Sequence, residues 1–172
     1  MINPYKIPKD RMPLIVLSDH SSGFIQWIIK WRTKANYNHI MLMLDPGEFI
    51  SQGNTFSCTP LNRYVKERSR LKFWKIKDLK GCEKNRIGQS VNKDLNGSWW
   101  SKRYDYLGIV GQALGILKIN SPSRMYCSER VSKYLRKLNG FEDLPLHPSP
   151  KDLNEYFKTH PRMEVYGRWS AD

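Results

Sequence analysis

The chain has 172 residues, of which 40% are hydrophobic and 12% aromatic, and this composition favours a globular fold over a disordered segment. Its formal net charge of +13 favours an anionic partner such as nucleic acid, an anionic lipid surface or a cell-wall polymer. The three widely spaced cysteines argue against a disulfide framework and a zinc ribbon. Because no stretch has the pattern of a signal peptide or a membrane-spanning helix, we expect a cytoplasmic or virion-associated protein with no transmembrane segment.

The first half of the chain predicts one buried strand, a helix and a two-stranded hairpin. Residues 12–18 contain the apolar run LIVL, which indicates a buried strand. Residues 23–32 carry apolar side chains at i, i+3, i+4 and i+7, the stripe of a helix. Residues 38–44 predict a strand, residues 45–48 a turn, and residues 49–52 the return strand of the hairpin.

The second half is more mixed. Residues 60–68 predict a helix with proline in its first turn, and the alternation in residues 71–76 predicts a strand with one wet face. Residues 80–102 are polar and rich in Gly and Asn, which indicates a long loop. Helices are expected at residues 106–117 and 151–157.

Cys127 is the first candidate for chemistry. It lies in the first turn of the clearest predicted helix, residues 125–138. Unpaired N–H groups and the positive end of the helix dipole favour a thiolate there, and the same N–H groups can stabilise an oxyanion. The alternative is that Cys127 packs in the core, which is the more common role of a free cysteine.

A cysteine nucleophile needs a base, which is usually histidine. His39 opens an apolar strand, where a rigid element can hold its ring. The other three candidates, His20, His147 and His160, lie in polar or pre-proline segments. A His39 that only bonds to nearby backbone is the alternative interpretation.

A polar side chain on the return strand could orient the imidazole. Ser51 follows His39 by twelve positions (51 − 39), and an even separation across a regular hairpin puts both on one face. Gln52 takes that place if the turn shifts the register by one residue. Glu48 lies nearer the turn, where we expect it to be solvated.

The order of these features resembles a known family. The segments NHIMLMLDPGEFIS (38–51), YDYLGI (104–109), MYCSERVSKYL (125–135) and HPSPKDL (147–153) carry the resemblance. They are similar to the circularly permuted members of the NlpC-type papain-like cysteine hydrolase superfamily, particularly the YiiX/YebB-like branch. Lecithin:retinol acyltransferase-like proteins are more distant relatives of that branch.

The resemblance implies a single α+β domain over residues 1–172, with a small antiparallel sheet packed against helices. It implies Cys127 as nucleophile, His39 as base and Ser51 as the third residue, with Gln52 as the other possible orienter. Tyr104 and Tyr126 match aromatic positions that flank the site or pack beside it. No cofactor and no metal are expected.

The implied function is that of a cysteine-dependent amidase or endopeptidase, for example on peptidoglycan peptides, or of an acyltransferase. Its partners would be a peptide or acyl substrate and an anionic polymer. One alternative is an inactive basic module that binds nucleic acid or serves in a protein assembly such as a phage particle; another is a membrane-associated acyltransferase. The basic segment 66–80 fits nucleic acid, although its alternation more simply indicates a strand.

Overall fold

The computed structural model describes residues 1–19, 36–52, 55–65, 69–103 and 125–171. These residues form an α+β structure around a six-stranded antiparallel sheet with the order β4-β3-β2-β1-β5-β6. The strands are β1 (Leu14–Ser18), β2 (His39–Asp45), β3 (Glu48–Gln52), β4 (Phe56–Pro60), β5 (Arg70–Ile76) and β6 (Met163–Ser170). The α-helices of the described ranges are α1 (Gly81–Leu95), α2 (Trp99–Lys102), α3 (Cys127–Leu135) and α4 (Pro150–Thr159).

The sheet is apolar on both faces, which is why β1 is buried at every residue. One face, with Ile15, Leu17, Ile40 and Leu42, packs against α1, α3 and α4; we call it the helix-covered face. The opposite face, with Val16 and other side chains, packs against the N-terminal segment and the turn after β4. Strand alternation therefore decides on which side of the sheet each polar residue lies.

The β2–β3 hairpin turns at Gly47, whose φ of +88° is a conformation that glycine adopts without strain. Its register pairs Met41 with Ser51 and Leu42 with Ile50, and an irregularity follows towards the turn. At the far end of the hairpin β2 begins at His39 and β3 ends at Gln52. We call this edge, where β4 and β5 also begin and β1 and β6 end, the His39 end of the sheet.

Each of the longer helices begins with an acidic side chain that accepts an N–H group left unpaired by the first turn. Glu83 accepts from the Lys80 N–H, and Glu129 accepts from the Tyr126 N–H. At α4 the arrangement is reciprocal, because the Ser149 hydroxyl also accepts the Asp152 N–H. No helix within the described ranges is both long enough and apolar enough to cross a bilayer.

Several predicted elements are confirmed. The strands predicted at 12–18, 38–44, 49–52 and 71–76 correspond to β1, β2, β3 and β5, and the hairpin turn is where the sequence places it. The wet face predicted for the strand at 71–76 is wrong, because Lys72 is buried like its neighbours on the other face. The helices predicted at 125–138 and 151–157 correspond to α3 and α4, although α3 ends earlier. The helices predicted at 23–32 and 106–117 lie outside the described residues.

Two further predictions are wrong. The helix predicted at 60–68 is instead the end of β4 followed by a single 3-10 turn, Leu61–Arg63, within the described part of that range. The loop predicted at 80–102 is mostly α1, whose Ile87 and Val91 are buried against the sheet. Ile87, Val91 and Leu95 are spaced four residues apart, which is the apolar pattern of a helix. The polar composition of the segment obscures this pattern.

Candidate functional site

Cys127 is the first residue of α3, directly after the extended N-cap residue Tyr126. Its exposed fraction is 3%, and it packs on the helix-covered face. The position confirms the helix-start placement of the thiol, where unpaired N–H groups surround it. Burial agrees equally with a packed core cysteine, so the neighbours of Cys127 decide what the position can do.

A small cleft lies between the start of α3 and strands β2 to β4 near the His39 end of the sheet. It holds about 180 Å³ of empty space, including its open mouth. The volume open to the centre of a water-sized sphere is only about 10 Å³, roughly the space of one water molecule. A substrate would therefore meet Cys127 from the mouth rather than being enclosed. The lining side chains are Ile40, Leu42, Ile50, Gln52, Phe56, Cys127, Arg130, Val131 and Tyr134.

Gln52 is the polar side chain of β3 that shares this cleft with Cys127. Its Nε2 donates to the Lys102 carbonyl oxygen at 2.8 Å, which fixes the amide. Its Oε1 is buried and has no hydrogen-bond partner among the described residues. The Gln52 amide is therefore fixed at its nitrogen, and its oxygen is an acceptor that no described residue uses.

His39 and Ser51 lie together on the other face of the sheet, connected through Tyr64. The Tyr64 hydroxyl donates to Ser51 Oγ at 3.1 Å and lies 3.4 Å from His39 Nε2. The Tyr64 and His39 rings are stacked, with centroids 5.8 Å apart. Ser51 Oγ in turn lies 3.1 Å from the Thr59 hydroxyl. The shared face agrees with the even separation of His39 and Ser51 in the sequence.

This chain of hydrogen bonds constrains the His39 tautomer. Tyr64 has one hydroxyl hydrogen, which it donates to Ser51, so its oxygen can only accept from His39. The proton of a neutral His39 then sits on Nε2, and Nδ1 is the basic nitrogen. Burial is the main reason that the pKa of Tyr64 is raised, so this hydroxyl stays protonated and the arrangement persists at neutral pH.

By strand alternation His39 lies on the opposite face of the sheet from the Cys127 cleft, near the same end of the sheet. Alternation assigns His39 to the face of Met41, whereas Ile40 faces the Cys127 cleft. His39 is also the first residue of β2, so it lies at the edge where the two faces of the sheet adjoin. A negative charge on Cys127 contributes to the raised pKa of Tyr64, after the larger effect of burial, which places the thiol within electrostatic range of that hydroxyl.

A second imidazole lies at the start of α3. His147 Nδ1 contacts Glu129 Oε1, and the other carboxylate oxygen of Glu129 accepts the Tyr126 N–H at 3.2 Å. Glu129 is buried, while the side chain of His147 is 44% exposed. The sequence places His147 in an irregular pre-proline segment, but the structure gives it a carboxylate partner in Glu129.

Arg130 brings a cation to the cleft, where its guanidinium packs over the Phe56 ring at 4.2 Å from the centroid. Asp94 of α1 balances that charge, since its Oδ2 lies 3.0 Å from Arg130 Nη1. Asp94 also accepts from Lys133 Nζ and from the Tyr134 hydroxyl, each at 2.8 Å. Four side chains of α1 and α3 therefore fix the helix that carries Cys127.

Two tyrosines are the remaining predicted residues of the site. Tyr126 is buried beside Cys127, and its pKa is raised by burial first and by the Glu129 carboxylate second. Tyr104 lies outside the described residues. Within the described part of the chain, no cluster of three or more His, Cys, Asp or Glu side chains could hold a metal ion.

Comparisons with known proteins add nothing to this geometry: no protein-family model matches the chain, and no curated protein matches it either.

Proposed function

We propose that the protein is a cysteine-dependent hydrolase or acyltransferase with a permuted NlpC-type papain-like arrangement. Cys127 is its nucleophile and His39 its base. The observation that carries this proposal is the placement of Cys127 at the first residue of α3, in a cleft at the same sheet end as the fixed imidazole of His39. A core cysteine needs neither the helix start nor an ordered imidazole nearby.

The reaction would proceed in two steps. The Cys127 thiolate attacks the carbonyl carbon of an amide or ester, forms a C–S bond and breaks the bond to the leaving nitrogen or oxygen. His39 takes the thiol proton on Nδ1 and returns it to the leaving group. Water, or an acceptor hydroxyl or amine in the transferase case, then attacks the thioester and restores the thiol.

The protein supplies three further contributions to that reaction. The backbone N–H groups at the start of α3 stabilise the oxyanion. Gln52 lines the same cleft, and the second N–H of its Nε2, beyond the one that binds the Lys102 carbonyl, is the donor that would assist them. The Tyr64 hydroxyl, held by Ser51, positions the imidazole with Nδ1 as its basic nitrogen. In this mechanism Ser51 acts on His39 through Tyr64.

Acylation by an activated ester tests this function without knowledge of the natural substrate. The protein is mixed with p-nitrophenyl acetate, and the acetylated cysteine is identified by peptide mapping. We expect a rapid burst of p-nitrophenol and an acetyl thioester on Cys127. The Cys127→Ser and His39→Ala variants should both lose the burst.

The two other cysteines provide the control, because Cys58 and Cys82 are free and exposed. A double Cys58→Ser, Cys82→Ser variant should keep the full burst. A burst that disappears in this double variant, with Cys127 left unmodified, would contradict the proposal. The protein would then be better described as a basic binding module.

A further inference from the structure

A buried lysine on the helix-covered face is hydrogen-bonded to a neutral amide. Lys72 of β5 is 4% exposed, and its Nζ donates to the Asn154 Oδ1 at 3.0 Å. The same ammonium lies 4.1 Å from the centroid of the Trp74 ring. Among the described residues no carboxylate lies within ion-pair distance of it.

The groups that face Lys72 add positive charge around its ammonium. Arg168 of β6 is its direct cross-strand partner, so two cations stand opposite each other in the register. Lys158 of α4 is a third cation nearby, and Glu155, the carboxylate in range, is paired with Lys158 at 2.7 Å. Burial first, and then the charges of Arg168 and Lys158, lower the pKa of Lys72 to about 8.

This arrangement is unfavourable unless something else balances the charge. Like charges directly opposite each other in a sheet are destabilising, and a buried cation without a counter-ion has lost its hydration. An ammonium has three donors, and Lys72 uses one of them for the neutral Asn154 amide. Arg168 is exposed and, within the described residues, has no carboxylate partner for its guanidinium.

We propose that Lys72 and Arg168 form a binding site for an oxyanion, specifically a phosphate group. Arg168 is exposed and offers a planar fork of donors, and its cross-strand neighbour Lys72 adds a buried point charge. Asn154 orients the ammonium. The site lies on the same face of the sheet as the Cys127 cleft. Strand β5 is two strands away from β2, and two inter-strand spacings amount to about 10 Å.

Calorimetric titration with inorganic phosphate tests the site. The buffer keeps ionic strength constant with chloride, so that general screening does not change during the titration. We expect saturable binding by the wild-type protein. Lys72→Met and Arg168→Gln should each weaken that binding by about tenfold or more, the loss expected when a charge-assisted hydrogen bond is removed.

The matched control is Lys75→Met. Lys75 belongs to the same strand, points to the other face and pairs with Glu164 at 3.1 Å. Its removal lowers the net charge as much as Lys72→Met does but should leave phosphate affinity unchanged. If Lys72→Met does not fold, Arg168→Gln still decides the question, because Arg168 is exposed. Phosphate binding that is absent, or equally strong in all three variants, would overturn the proposal.

A pH series separates an electrostatic role of Lys72 from a purely structural one. Lys72 is charged below its folded pKa of about 8 and becomes neutral above it. Phosphate affinity should therefore fall as pH rises from about 7.5 to 9.5, and Lys72→Met should remove that dependence. Affinity of the wild-type protein that stays constant over this window would also overturn the proposal.

The phosphate group could belong to a small molecule or to a polymer. A competing oligothymidylate distinguishes these two sources. If phosphate displaces the oligonucleotide from the wild-type protein but not from Arg168→Gln, the site binds a phosphodiester backbone. Phosphate binding that the oligonucleotide does not affect would assign it to a small phosphorylated molecule.

Discussion

Asp94 should be the carboxylate on which the placement of α3 depends most. It accepts hydrogen bonds from Lys133, Tyr134 and Arg130 at 2.8 to 3.0 Å. Asp94→Ala leaves the guanidinium of Arg130, which is 4% exposed, without this carboxylate. Removing one partner of a buried ion pair costs about 3–5 kcal/mol. For a domain of this size that corresponds to a fall in Tm of about 6–20 °C.

Chemical and thermal unfolding followed by circular dichroism measures this loss. The control is Asp45→Ala, because Asp45 and Lys9 form an ion pair whose side chains are 55% and 77% exposed. A surface pair of this kind contributes about 0–1 kcal/mol. A loss for Asp94→Ala no larger than that for Asp45→Ala would refute the reasoning.

The pH dependence gives a second check on the same residue. Burial alone would raise the pKa of Asp94, but the hydrogen bonds from Lys133 and Tyr134 outweigh it, and the pKa is lowered. Because the folded pKa is lowered, the Asp94 carboxylate stabilises the fold at pH values above its unfolded pKa of about 3.9. This stabilisation is lost as pH falls through the folded pKa. The difference between wild type and Asp94→Ala should therefore be constant from about pH 5 to 7 and shrink below about pH 4.

Three further changes have expected outcomes. Tyr64→Phe should slow Cys127 acylation while costing about 0.5–1.5 kcal/mol of stability, because it removes the hydroxyl that joins His39 to Ser51; unchanged acylation kinetics would show that the hydroxyl only packs. Glu83→Gln should destabilise the protein at pH 7 but not at about pH 2, since the hydrogen bond from Arg162 lowers the pKa of Glu83; an equal loss at both pH values in urea titrations would contradict this. Gly140→Ala should lower the unfolding free energy by about 1 kcal/mol because its φ is +82°, whereas Gly88→Ala in α1 should raise it; the two variants should therefore shift the denaturation midpoint in opposite directions.

The sequence predicts the centre of the sheet well because buried strands carry a strong local signal. The apolar runs of β1 and β2 and the alternation of β5 are readable without knowledge of their partners. The edge strands β4 and β6 are not predicted, since few of their residues are buried and each is stabilised by pairing with a neighbour. Strand pairing is a long-range property that a local pattern does not contain.

The candidate site was predictable only in part. Cys127 and His39 have local signatures, a helix start and a strand start, and the separation of Ser51 fixes its face. Tyr64 has no such signature, because it reaches His39 from a turn that the sequence presents as a helix. Glu129 and His147 are likewise joined by folding alone, eighteen positions apart in the chain.

The measurement that tests the central claim most directly is the pH dependence of alkylation at each cysteine with iodoacetamide, followed by peptide mass spectrometry. Cys58 serves as an internal reference, because burial and then Glu48 raise the pKa of its thiol. The account predicts that Cys127 reacts faster than Cys58 below pH 7, although it is far more buried, and that His39→Ala slows this reaction more than His147→Ala does. A Cys127 that reacts more slowly than Cys58 at every pH, with no effect of His39→Ala, would contradict the account and leave Cys127 as a packed core residue.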